Sequence, residues 1–201
     1  DENRTFARRV AAESFVLLKN ENDLLPLEET GTIGVIGPLG NNRENMAGTW
    51  SVAGEFEKCV SLLEGLNNAV GDRANILFAR GSNIYRDSAL EARVSIFEKP
   101  TYRDDRSERA MLNEALDVAG KSDVIIAALG EAAEMSGESS SRSEIGIPDV
   151  QADLLKALVR TGKPVVLVLF TGRPLTIKWA DEYVTAILNV WFGGTEAGNR
   201  Q

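Results

Sequence analysis

Histidine is absent from this chain of 201 residues. That absence removes Ser-His-Asp and Cys-His catalysis, most zinc sites and imidazole proton relays from the chain's own repertoire. Cysteine occurs once, as Cys59, so no disulfide forms within the chain, and the count says little about redox compartment. Positive charge is scarce: 22 Lys and Arg stand against 30 Asp and Glu, a net charge of -8. Nucleic acid is therefore not an expected partner, because phosphates demand clustered Lys and Arg. Nor is there a basic patch for an anionic membrane. No apolar run approaches the roughly 20 residues of a membrane-spanning helix. Acid–base chemistry is left to carboxylates, Lys, Tyr or the one Cys.

What is present is ordinary for a globular domain: 43% hydrophobic and 26% charged residues. The length suits one α/β domain with a full core. Residues 5–18 read as an amphipathic helix merging into an extended exit, and 24–27 as a turn with apolar anchors. Short β-rich runs at 32–36 and 75–79 flank a Gly/Asn-rich surface loop, 40–54, and a helix, 60–70. The stretch 81–106 is polar and irregular, and its charge cluster Arg103-Asp104-Asp105-Arg106 reads as a solvated face. A helix over 107–120 has Ser107 as N-cap and Gly120 just past its end. Strands at 123–129, 165–170 and 185–190 alternate with helices at 149–161 and 174–183. This alternation predicts a three-layer α/β/α sandwich, flavodoxin-like in outline, with a mainly parallel, roughly five- to six-stranded sheet. Both ends read as cut: the chain opens on Asp1-Glu2-Asn3-Arg4 without a signal peptide and stops where a new helix begins. The expectation is one domain, 1–201, excised from a longer protein.

The most polar loop follows the apolar run 122–129. It reads Gly130-Glu131-Ala132-Ala133-Glu134-Met135-Ser136-Gly137-Glu138-Ser139-Ser140-Ser141-Arg142. A loop at a strand end is where open α/β sheets bind ligands, so its carboxylates are candidates for acid–base work. The bland alternative for Glu138 is a solvated loop carboxylate; for Glu131, a structural one; for Arg142, a surface ion pair. Trp50 sits in Ala47-Gly48-Thr49-Trp50-Ser51, outside any apolar stripe. That context suits a loop position, although burial is the usual fate of a tryptophan. Trp179 and Trp191 fall in helix and strand patterns and read as packing. Gly37-Pro38-Leu39-Gly40 lacks the spacing of a phosphate loop, so no nucleotide cofactor is expected. The serine run has no partner in sequence that would activate a nucleophile.

Several segments, in order, resemble the second domain of family 3 glycoside hydrolases, the β-glucosidase and β-xylosidase family. They are Ala12-Glu13-Ser14-Phe15-Val16-Leu17-Leu18-Lys19-Asn20-Glu21 with Leu25-Pro26-Leu27; Ile33-Gly34-Val35-Ile36-Gly37-Pro38; the loop from Gly130 to Arg142 with Ile147-Pro148; Thr161-Gly162-Lys163-Pro164-Val165-Val166; Gly172-Arg173-Pro174-Leu175; and Trp191-Phe192-Gly193-Gly194-Thr195-Glu196. The resemblance spans nearly the whole chain and is strongest to the periplasmic β-glucosidase branch.

The resemblance implies retaining hydrolysis of terminal non-reducing β-D-glucosyl residues, which uses two carboxyl groups about 5–5.5 Å apart. It implies an aspartate nucleophile on a preceding (β/α)₈ barrel of the parent chain, and an acid/base from this domain. Ser136-Gly137-Glu138 with Arg142 fits the family's form best, making Glu138 the acid/base. Glu131, nearer the strand end, is the runner-up and better suits a supporting or sugar-binding role. Trp50, Met135 and Arg142 are implied as substrate-pocket residues, Arg142 also as the holder of the loop. The implied partner is a β-linked oligosaccharide or glucoside, with no metal or cofactor, in the periplasm or secreted. A non-catalytic α/β module that binds carbohydrate or a partner is the alternative.

Overall fold

The computed structural model describes residues 2–51, 53–93, 103–138 and 140–200. Six strands form one sheet: β1 (Val16–Asn20), β2 (Thr32–Ile36), β3 (Asn75–Ala79), β4 (Val124–Gly130), β5 (Val165–Phe170) and β6 (Ala186–Asn189). The helices are α1 (Glu2–Ser14), α2 (Leu62–Val70), α3 (Ser88–Arg93), α4 (Glu108–Lys121), α5 (Asp149–Val159) and α6 (Lys178–Tyr183). The strand order is β1-β6-β5-β4-β2-β3. All pairs are parallel except β1 with β6. Without β1, the parallel strands follow the flavodoxin order. The chain leaves β2 toward one side and β4 toward the other, so the topological switch point lies between their carboxyl ends, where such sheets bind ligands.

β4 and β5 are apolar throughout because both of their faces are covered. On one face Ile125, Ala127, Leu129, Val165, Leu167 and Leu169 pack under α4, α5 and α6, through Ala115, Leu154, Leu158 and Ala180. On the other, Ile126, Ala128, Val166, Val168 and Phe170 meet Leu62 of α2 together with Leu39, Met46 and Met135 from loops. The three-layer architecture expected from the alternation is thus present, with six strands.

The differences from the expected elements have local causes. The helix expected over 5–18 stops at Ser14, and its extended exit is β1. Four apolar residues in a row, 15–18, leave no polar face for a helix but suit an edge strand paired with β6. Helix α2 starts at Leu62 because Ser61 caps it, its Oγ accepting from the Glu64 N–H at 3.2 Å. Ser107 caps α4 as expected, accepting from the Ala110 N–H at 3.2 Å. Gly120, however, lies inside α4, which continues to Lys121 and ends at Ser122. Helix α6 is shorter than 174–183, since residues before Lys178 serve the loop after β5. Within the stretch expected to be irregular, 88–93 is helical, and 94–102 lie outside the described residues. Its charge cluster is only partly solvated. Arg106 pairs with the exposed Glu114 and with Asp104, whose carboxyl those hydrogen bonds hold down at about 2. Arg103 instead reaches the buried Glu91 and the carbonyls of Tyr85 and Arg86.

Helix α1 is tied to the far end of the chain. The fully buried Glu196 carboxylate accepts from Arg8 at 2.7 Å and from Asn199 at 2.7 Å, and pairs with Arg4. Burial alone would raise this carboxyl. The hydrogen bonds from Arg8, Asn199 and Arg4 outweigh it and hold the group below its ordinary 4.5.

Candidate active site

The site is built outward from the end of β4. Gly130 has φ +135, and a Cβ there would lie 2.0 Å from the Phe170 carbonyl oxygen, so only glycine lets the chain turn this close to β5. The buried Gln151 of α5 frames the same peptide. Its Oε1 accepts from the Gly130 N–H at 2.9 Å, and its Nε2 donates to the carbonyls of Gly130 and Ile84, each at 3.0 Å. The next residue, Glu131, donates its N–H to the Phe170 carbonyl at 2.8 Å.

The Glu131 side chain is wholly buried. Arg142 Nη1 donates to its Oε1 at 2.8 Å, and Arg173 Nε pairs with the same oxygen at 3.3 Å. The Gly172 N–H donates to Oε2 at 3.4 Å. Both arginines also hold backbone: Arg142 Nη2 donates to the Gly146 carbonyl at 2.9 Å, and Arg173 Nη2 to the Met135 carbonyl. Two guanidiniums beside one buried carboxylate satisfy its charge, and the Arg142 and Gly172 donors fix its orientation. Tyr85 lies buried close by. Its phenol is raised above the ordinary 10 by burial, with Arg142 acting in the opposite sense.

Glu138 has a different setting. It follows the short 3₁₀ turn Ala133–Ser136 and is exposed on the same loop. Met135 is buried beneath that loop, and its sulfur accepts from the Ala132 N–H at 3.2 Å. Ser140 Oγ donates to the Glu134 carbonyl at 2.5 Å. Ser139 lies outside the described residues. A carboxyl that must deliver a proton to a departing oxygen has to face that oxygen. Glu138 faces out of the domain; both oxygens of Glu131 are engaged inside it.

The Gly/Asn-rich loop after β2 was expected on the surface, yet much of it packs down, because its polar side chains find partners in the loop after β4. Asn45, Met46 and Thr49 are buried. Asn45 Oδ1 accepts from the Ala133 N–H at 2.6 Å, and Thr49 Oγ1 donates to the Ala133 carbonyl. Asn42 Oδ1 accepts in turn from the Asn45 side chain at 2.8 Å. This stitching carries Trp50 to the rim of the same edge, where it is 70% exposed. Beside it is a recess of about 300 Å³ lined by Trp50, Thr49, Ser136, Gly172, Trp191 and Phe192. Trp191 stands at φ +54 and donates Nε1 to the Ser14 carbonyl at 3.0 Å; Trp179 stacks on Tyr183 at 5.0 Å. Among the described residues no group of three or more His, Cys, Asp or Glu side chains is placed to hold a metal ion, and no helix is long and apolar enough to cross a membrane.

The family model of the glycosyl hydrolase family 3 C-terminal domain matches residues 15–201. The chain belongs to that family. It is 47% identical over 196 residues to the periplasmic β-glucosidase of Salmonella typhimurium, covering 98% of this chain and 26% of that relative. It is 33% identical to a β-xylosidase of Formosa agariphila, covering 99% of this chain and 26% of that relative. The crystal structure of a β-glucosidase from Listeria innocua in complex with isofagomine superposes with a TM-score of 0.78 at 32% identity, covering all of this chain and 24% of that one. The family 3 chain thus spans about a quarter of the length of the relatives it matches.

Of the residues singled out from sequence, the family 3 domain brings Glu131 and Arg142 into direct contact. It sets Trp50 at the rim of the same edge, exposes Glu138 and buries Met135. Three contributors carried no signal that sequence reasoning used. Arg173 was visible only as the middle of Gly172-Arg173-Pro174, although a loop after an apolar strand belongs to the same edge as the loop after β4. Asn45 and Gln151 act by pinning backbone, which a residue name does not reveal.

Proposed function

We propose that this domain supplies the acid/base, Glu138, of a retaining β-glycosidase, a β-glucosidase releasing terminal non-reducing β-D-glucosyl residues. The observation that carries the reading is the contrast within one loop. Glu138 is exposed at the binding edge, whereas Glu131 is buried and held by two arginines. The names of the matching relatives, β-glucosidases and a β-xylosidase, support the reaction class. The nucleophile is assigned to a (β/α)₈ barrel elsewhere in the parent chain, and the periplasm, named for the Salmonella relative, is the proposed compartment.

In this scheme the nucleophile attacks the anomeric carbon while Glu138 gives its proton to the departing glycosidic oxygen. Glu138, now a carboxylate, then takes a proton from the water that releases the glycosyl group. The scheme needs the nucleophile's carboxylate about 5–5.5 Å from the acid, the spacing of a retaining pair. Trp50 offers a ring face to the apolar C–H face of the leaving-group sugar. Arg142 holds the loop, and Met135 supports it from beneath.

The test is Glu138→Gln in the full-length protein. Turnover of disaccharides should fall by about 10²–10⁴-fold, the range of general acid catalysis, with a much smaller loss for aryl glucosides whose leaving groups need little protonation. Azide should partly restore the activated substrates by replacing base-assisted water. Equal slowing of all substrates, with the selective pattern appearing instead in Glu131→Gln, moves the acid to Glu131. Unchanged turnover by both variants favours the non-catalytic binding module.

A further inference from the structure

The loop that carries Glu138 contains Gly137, and among the described residues its own anchors include the 3₁₀ turn Ala133–Ser136 and the bonds from Ser140 to the Glu134 and Gly137 carbonyls. An acid swinging on such a loop would lose the geometric advantage on which catalysis depends. The chain answers with a node made from three separated positions. Glu131 stands at the root of the loop. Arg142 comes from its far side and binds Glu131 at 2.8 Å. Arg173 comes from the loop after β5, pairs with Glu131 at 3.3 Å and donates to the Met135 carbonyl.

We propose that Arg173 is a positioning residue for the acid/base, acting through Glu131 and Met135, an inference that rests on Glu138 being that acid/base. Arg173 belongs to neither the loop nor the strand that carries Glu138. Its guanidinium reaches two points of the loop at once, the carboxylate at residue 131 and the carbonyl at residue 135. Arg142 closes the other side by binding Glu131 and the Gly146 carbonyl. The span that holds Glu138 is thereby anchored at Met135 and at Arg142, and Ser140 ties it internally to the Glu134 and Gly137 carbonyls. Gly137, inside that span, lies flat on Thr49: a Cβ there would be 2.3 Å from the Thr49 Cγ2, so the loop after β2 forms the floor. A lysine at 173 would keep a charge near Glu131, but a single ammonium lacks the planar fork that serves two acceptors in fixed directions.

A purely structural arginine would cost stability and slow every substrate alike. A positioning arginine costs the acid step alone. The experiment compares the full-length protein with its Arg173→Met, Arg173→Lys, Glu131→Gln and Glu138→Gln variants. Each is assayed on a disaccharide and on a series of aryl glucosides of graded leaving-group pKa, beside thermal melting. Arg173→Met should lose about 10²-fold on the disaccharide, the scale of a displacement near 1 Å, and under about threefold on the most activated aryl glucoside. The dependence of kcat on leaving-group pKa should steepen toward that of Glu138→Gln, with KM little changed. Arg173→Lys should show the same selectivity with a smaller loss, and it decides the matter if the methionine variant fails to fold. Combining Arg173→Met with Glu131→Gln should cost no more than the worse single change, since both break one node. If Glu138→Gln is selective but folded Arg173 variants slow all substrates equally, or none, the positioning role is overturned and the acid/base reading stands. If Glu138→Gln is itself unselective, the acid/base reading falls, and this inference with it.

Discussion

Trp50, Glu131 and Glu138 share the carboxyl edge of the sheet, and the sequence neighbourhood reveals their settings unequally. Trp50 was legible: glycines and polar residues surround it, and no apolar stripe includes it. The structure leaves it 70% exposed. Truncation to alanine should therefore leave the melting temperature of the chain within a degree or two, because exposed positions cost about 0.5 kcal/mol or less. A core tryptophan would cost about 3–5 kcal/mol and many degrees. The same change in the full-length protein should raise KM for disaccharides more than for small aryl glucosides, if the ring contacts the leaving-group sugar. Melting of the chain and KM in the parent check the two halves separately. Glu131 and Glu138 were harder to tell apart, since residue type and loop position are shared. What separates them is burial and the arrival of Arg173, and that arrival depends on β5 lying beside β4. Strand order is a property of the whole sheet, so no local pattern around Arg173 announced it.

At the scale of elements, long apolar runs with charged or glycine boundaries were readable. β2, β3 and β5 fall where the β-rich runs lie, and α5 where its four-residue spacing of Val150, Leu154 and Leu158 indicates. β1 was readable as an extended exit from α1 but not as a member of the sheet, because its partner β6 lies at the other end of the sequence. The tether of α1 was equally hidden, since it joins Arg4 and Arg8 to Glu196. It makes a pH prediction. Glu196 is held below 4.5 in the folded chain, so its contribution to stability is complete above that ordinary value and is lost as pH falls through the lower folded-state value. Amide exchange in α1 should therefore accelerate selectively in acid, ahead of the central strands. Glu196→Gln should make α1 exchange faster at neutral pH by about 1–3 kcal/mol of lost protection and remove that acid-specific step. Exchange in α1 that is unaffected by Glu196→Gln would show that the tether contributes nothing.

For the molecule as a whole, the doubly covered sheet is a core in its own right, while the chain spans about a quarter of the relatives it matches. The chain alone should melt in one cooperative transition and yet turn over no aryl glucoside. A covalent glycosyl intermediate needs a second carboxylate about 5–5.5 Å from the acid, and that group is assigned to the parent's barrel. Activity assays on the purified chain check this, and turnover of about 1 s⁻¹ or more, within the enzyme range, would overturn the division of labour. The edge strand β1 has a consequence for such a preparation. It pairs on one side with β6, and among the described residues no strand pairs with its other side. Val16, Leu17 and Leu18 on that edge are 41%, 52% and 50% exposed. An apolar edge of this kind is a template for another chain's backbone. Kept concentrated, copies of the chain would meet edge to edge at β1 while each remained folded, so the first loss would be of colloidal solubility.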